Sequence, residues 1–233
     1  MAIPIIALDV ATPALALELV ERLGDSALFY KIGSQLFTAG GPQIVREIRA
    51  RDKRVFLDLK YHDIPNTVAH AVEAADRLQV DLLTVHVSGG LDMMRAARDA
   101  AGSSGPRILG VTVLTSARVD DIQQTWGKEV RSVREEVMRL AALAAEAGLH
   151  GIVASPLELE PLRRRYGGDF IIVTPGIRPA GQPAADQART ATPAEAARAG
   201  ADYIVIGRPV TGAPDPLEAL RLLHAELAAD ALP

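Results

Sequence analysis

Short runs rich in Val, Ile and Leu alternate along the chain with longer stretches whose apolar positions recur at helical spacing. The runs are IPIIALDV, LFYKIG, RVFLDLK, LLTVHV, ILGVTVL, GIVAS, FIIVTPG and YIVIG. Eight strands, each followed by a helical stretch, predict a single (β/α)8 (TIM) barrel over residues 1–233. The repeat is one of element order, not of copied sequence. A doubly wound open sheet satisfies the same periodicities, because period alone does not show closure.

Helix ends are written in the residues between the runs. TPALALELVERLG offers Thr12 as a cap, Pro13 at the first helical position and Gly24 past the end, and REEVMRLAALAAEAG closes on Gly148. Two connections are longer: residues 115–130, which hold the only tryptophan, Trp126, and residues 176–192, rich in Gly, Pro, Gln and Ala. Connections of that length in a compact fold are usually functional or mobile. No linker or low-complexity tract divides the chain.

Polar interruptions of the strand pattern are the next signal. In a strand every second side chain points the same way, so Phe56, Asp58 and Lys60 share one face and Val55, Leu57 and Leu59 the other. The same count puts Asp9 in register with Ile5 and Ala7, and Lys31 with Phe29. The first three strands therefore end in charge. If these faces point inward, Asp9, Lys31, Asp58 and Lys60 converge at the C-terminal ends of the strands, where barrel active sites are built from several strands at once. An ion-pair layer that merely closes the barrel mouth is the structural alternative.

Composition narrows the chemistry. With 233 residues and 48% hydrophobic content the chain can bury a full core. A net charge of −4 gives no basic field for nucleic acid, so an anionic ligand must be met by a few locally placed cations. The absence of cysteine removes disulfides, thiolate metal sites and a thiol nucleophile, which fits a cytoplasmic protein. MAIPIIALDV lacks a basic leader region and its apolar run stops at Asp9, so it is expected to be a strand and not a leader or a membrane span.

Local cations do occur after the last two strands. TPGIR (174–178) and VIGRPV (205–210) place Gly and Arg where many barrels bind phosphate. Arg208 can grip phosphate bidentately, and Gly207 lets the backbone come close. His62, His70, His86, His150 and His224 have no metal-ligand spacing, and no HExxH, Walker A or GxGxxG occurs. Ser116 and Ser155 lack a nucleophile elbow. His86, at the end of the fourth strand, is expected to be structural. RRR at 163–165 reads as a solvated face, and AALAAEAG as core.

FLDLKYHDIPNT resembles the D-x-K-x-x-D-I-P-N-T motif of the orotidine 5′-phosphate decarboxylase family, and IALDV, YKIG, VTVLTS, TPGIR and GRPVTGAPDP resemble its bacterial members along the whole chain. The resemblance implies decarboxylation of orotidine 5′-monophosphate to uridine 5′-monophosphate in de novo pyrimidine biosynthesis, without metal or organic cofactor. It implies Lys60 as proton donor to C6 of the pyrimidine, within an array completed by Lys31, Asp58 and Asp63. Asp63 and Thr67 would act across a homodimer. Asp9 and Lys31 would contact the ribose, Thr115 would lie near the base, and Arg178, Gln187, Gly207 and Arg208 would gather around the phosphate. The 176–192 connection would be a lid.

Two alternatives stand beside that expectation. A magnesium-dependent sugar-phosphate decarboxylase or aldolase of the same superfamily resembles the D-x-K-x-x-D core, but a magnesium site wants several oxygen ligands and the second strand offers Lys31. A non-catalytic barrel that senses a phosphorylated metabolite would share the phosphate-site residues, yet has no evident need for a lysine set between carboxylates.

Overall fold

The computed structural model describes residues 2–179 and 189–229. Eight parallel strands close on themselves in sequence order: β1 (Ile3–Ala7), β2 (Phe29–Gly33), β3 (Arg54–Tyr61), β4 (Leu82–His86), β5 (Arg107–Val111), β6 (Gly151–Val153), β7 (Ile171–Thr174) and β8 (Tyr203–Ile206). β8 pairs with β1, so the open-sheet alternative does not hold. Strands buried on both faces read as continuous apolar runs, which is why the sequence announced them so plainly.

The two faces build two cores. Ile5, Ala7, Phe29, Phe56, Leu82, Leu109, Val173 and Val205 fill the barrel interior. Their strand neighbours Ile6, Tyr30, Val55, Leu57, Leu83 and Ile172 pack outward among the surrounding helices. The alternate-residue count along the first three strands thus had the inward faces right.

Helix ends follow the residues that suggested them. Thr12 Oγ1 accepts the Leu15 N–H at 3.3 Å to start the helix Pro13–Leu23, and Gly24, with φ 50°, ends it by donating its N–H to Val20 O. The helix Val133–Glu146 starts on Ser132, whose Oγ accepts the Glu135 N–H at 3.1 Å, and turns away at Gly148, φ 75°. The 115–130 connection differs from expectation. It contains a helix, Val119–Trp126, that buries Ile122 and packs Trp126 against the outer core before Gly127 stops it in the left-handed region. Polar residues dominate this helix, so too few apolar positions recur for its period to show.

Charges at the N-terminal end of the barrel are structural. Arg54 lies 4.2 Å above the Phe29 ring and pairs with Asp81 at 2.9 Å, while Asp81 also accepts the Val55 N–H. Arg163 belongs to this floor too, which corrects the reading of RRR as a uniformly solvated face. Its guanidinium donates to Gly200 O and Phe170 O and pairs with Asp202, which accepts the Ile172 N–H at 2.7 Å. Arg164 and Arg165 are exposed as expected. At the opposite mouth, a cavity opens among the C-terminal ends of the strands. No helix among the described residues is long and apolar enough to cross a membrane.

Candidate active site

The charged ends of β1, β2 and β3 meet in a row of alternating sign. Lys31 Nζ lies 2.9 Å from Asp9 Oδ1 and 3.7 Å from Asp58 Oδ2, and Lys60 Nζ lies 2.8 Å from that same Asp58 oxygen. Strand register produces this: Lys31 stands opposite both Ala7 and Phe56, and Gly33 opposite Asp58. Lys31 and Asp58 are each only 9% exposed, whereas Lys60 and Asp9 reach toward solvent. The row is therefore buried at its middle and open to solvent at both ends. Gly33 makes room for it, since a Cβ there would stand 3.1 Å from Lys31 Nζ and 3.3 Å from Asp9 Oδ1.

Lys60 is held in an unusual backbone conformation. Its φ is 53°, in the left-handed region, which costs a non-glycine residue about 1–2 kcal/mol. The β3–β4 ladder shifts register between Leu57 and Tyr61 at the same place. The Lys60 N–H, turned out of the regular ladder, donates to Thr84 Oγ1 at 2.9 Å, and the Thr84 hydroxyl donates to Asp58 Oδ1 at 3.0 Å. Thr84 and Gly33 escaped the sequence reading. A count of two from Leu82 would have put Thr84 on the inward face as its lone hydroxyl, but threonine is also an ordinary strand former.

The rest of the same cavity comes from the segments after β5, β7 and β8. A space of about 380 Å³ is lined by Asp9, Lys31, Asp58 and Lys60 together with Thr115, Gly176, Arg178, Gly207 and Arg208. Burial and the neighbouring Arg208 both hold the Arg178 guanidinium below its ordinary pKa. Two cations pressed together in a concave site are arranged for a multiply charged anion. The ends of the 176–192 connection are tied to each other here. Ile177 and Ala191 form a bridge, and the Arg178 N–H donates to Ala191 O at 3.0 Å. Arg189 reaches back to the buried Glu158 at 2.9 Å and to Leu114 O at 3.2 Å.

Asp63 and Thr67 stand apart. Both are exposed, Asp63 Oδ1 accepts the Ile64 N–H at 2.7 Å, and neither lines the cavity of its own chain. They lie at the start of the helix Pro65–Asp76, beside Ile64, whose side chain is 67% exposed. Gln187 lies outside the described residues. His86 ends β4 with its ring 5.6 Å from that of His62, and burial, His62 and Lys60 together lower its pKa. No group of three or more His, Asp or Glu side chains among the described residues gathers as a metal site.

A site of this composition has known relatives. The family model described as orotidine 5′-phosphate decarboxylase / HUMPS family matches residues 3–223. The chain belongs to that family. The orotidine 5′-phosphate decarboxylase of Moorella thermoacetica is 50% identical over 230 residues, covering 96% of this chain and 91% of the relative. That of Actinobacillus succinogenes is 48% identical over 227 residues, covering 96% and 97%. Among solved structures, orotidine 5′-phosphate decarboxylase from Lactobacillus acidophilus superposes with a TM-score of 0.87 at 35% identity, covering 97% of this chain and 99% of the other. The family description spans two groups, but these relatives all carry the decarboxylase name.

Proposed function

We propose that this chain converts orotidine 5′-monophosphate to uridine 5′-monophosphate and CO2, in the cytoplasm, as a step of pyrimidine biosynthesis. The observation that carries the reading is that the row Asp9, Lys31, Asp58, Lys60 and the pair Arg178 and Arg208 line one cavity. Relatives of that name at about half identity over nearly the full chain support it.

The chemistry explains the need for such a row. Breaking the C6–carboxylate bond leaves an electron pair in the plane of the ring, with no π system to spread it. Stabilisation must come from fixed positive charge at the place where the pair develops. Lys60, at one end of the row, supplies an ammonium there and then gives its proton to C6, after which solvent restores it. Asp58 holds that ammonium by one oxygen, and Lys31 offsets the carboxylate from the other side. Arg178, Arg208 and the Gly207 backbone hold the phosphate, with Gln187 assigned to the same group. Asp9 and Lys31 meet the ribose hydroxyls, and Thr115 lies toward the base. Binding energy from the phosphate end, remote from the reacting bond, is used to fix the reactive end in place.

Asp63 and Thr67 complete the site of a neighbouring copy in a homodimer. Their exposure, and their absence from the lining of their own cavity, are what support this assignment. No cofactor takes part. Lys31 counts against the magnesium alternative, because an ammonium occupies the β2 position where a cation would want an oxygen ligand. One assay tests the whole reading: loss of orotidine 5′-monophosphate absorbance, with and without exhaustive chelation. Turnover unaffected by chelator is expected. No turnover, or turnover that is lost to chelator and restored by magnesium, overturns it.

A further inference from the structure

We infer that Thr84 is the positioning residue of this site, setting both the carboxylate and the lysine on which the proposed reaction depends. The inference rests on the reading of Lys60 as proton donor. Three observations carry it. Thr84 is wholly buried on the inward face of β4, and its hydroxyl both accepts the Lys60 N–H at 2.9 Å and donates to Asp58 Oδ1 at 3.0 Å. Lys60 sits at φ 53°, and the β3–β4 ladder breaks around it. Asp58 spends its other oxygen on the two lysines, at 2.8 and 3.7 Å.

These facts combine into one mechanical statement. A strained backbone persists only when its surroundings over-determine it. At Lys60 the strand partner that would normally take the N–H has been shifted away, and a side-chain oxygen takes its place. The same oxygen directs its proton to Asp58, so the carboxylate plane is fixed from one side while its second oxygen faces Lys60 Nζ. One hydroxyl therefore fixes the origin of the Lys60 side chain at the backbone and its far end through Asp58. Thr84 does not line the cavity itself, so its effect on the reaction passes through those two residues.

The test compares Thr84→Val, which keeps the shape and removes the hydroxyl, with Thr84→Ser, which keeps the hydroxyl. Misplacing a reacting group by about 1 Å can cost on the order of 10²-fold in rate. Thr84→Val is expected to lower kcat by about that factor while KM and uridine 5′-monophosphate affinity stay within about threefold, and Thr84→Ser is expected to restore kcat. Wild-type kcat in Thr84→Val overturns the inference. So does a Thr84→Val protein that fails to fold or loses nucleotide affinity in step with kcat, because the hydroxyl is then a requirement of the fold. A Thr84→Ser protein as slow as Thr84→Val also overturns it. An inactive wild-type protein marks failure of the underlying reading instead, and nucleotide affinity measured in the same samples separates the two.

Discussion

Lys60 combines a strained backbone with a side chain committed to one carboxylate oxygen, and both features serve the placement of a single ammonium group. Replacing it with alanine removes the proposed proton donor and leaves the floor, the outer core and the two arginines untouched. Lys60→Ala is expected to bind uridine 5′-monophosphate and to lose turnover by at least the 10²–10⁴-fold typical of a general acid. Single-turnover measurement checks this, and a variant keeping a tenth of wild-type turnover would remove Lys60 from the role. At this scale the sequence was informative wherever charge interrupted an apolar run. Asp9, Lys31, Asp58 and Lys60 could be brought together by counting in twos. Gly33 and Thr84 could not, because a glycine after a strand reads as a turn and a threonine within one reads as a strand former. Their importance depends on distances between strands that a single strand does not contain.

Between elements, one buried ion pair ties the 176–192 connection to the segment after β6. Arg189, 11% exposed at the end of the 176–192 connection, meets Glu158, 3% exposed after β6, and also holds Leu114 O after β5. Removing one partner of a buried pair strands the other charge, at a cost of about 3–5 kcal/mol. Arg189→Met is expected to lose that much stability in urea unfolding, and the double change with Glu158→Leu to recover most of it, since the pair itself contributes little beyond its own desolvation. Equal losses in the single and double variants would contradict this account. The strands and the capped helices were legible because burial on both faces and cap residues leave local marks. The helix Val119–Trp126 was not, because it presents only a narrow apolar strip to the barrel. Arg163 was misread because its partners Gly200, Phe170 and Asp202 come from later in the chain.

For the whole molecule, partly buried histidines make acid the weak side. Partial burial lowers the pKa of His86 and His150 from the ordinary value of 6.5, aided at His86 by His62 and Lys60 and at His150 by Arg107 and Arg98. Their neutral forms are favoured in the folded chain, so the unfolded chain takes up protons first as pH falls. The stability tied to them is complete above pH 6.5 and is lost as pH drops through that value toward the lowered folded ones. Tm is expected to be level from pH 8 to 7 and to decline from 6.5 to 5. A level Tm down to pH 5 would show that the histidines titrate alike in both states.

The largest scale is the pair of chains, and the exposed segment from Asp63 to Thr67 makes a definite claim about it. If Asp63 completes a neighbour's site, Lys60→Ala and Asp63→Ala should each be nearly inactive alone, because every site in either homodimer lacks one of the two groups. Mixing them under conditions that exchange subunits changes the arithmetic. In a mixed dimer the Asp63→Ala chain keeps its own Lys60 and receives Asp63 from its neighbour, so one site is whole and the other lacks both. Random exchange of an equal mixture makes about half the dimers mixed, each with one working site of two, and activity should return to about a quarter of wild type. Exchange is followed separately with tagged chains. If tags show mixed dimers and activity stays at the level of the components, Asp63 acts within its own chain. Its exposed carboxylate would then have to swing toward Lys60 over its own barrel mouth.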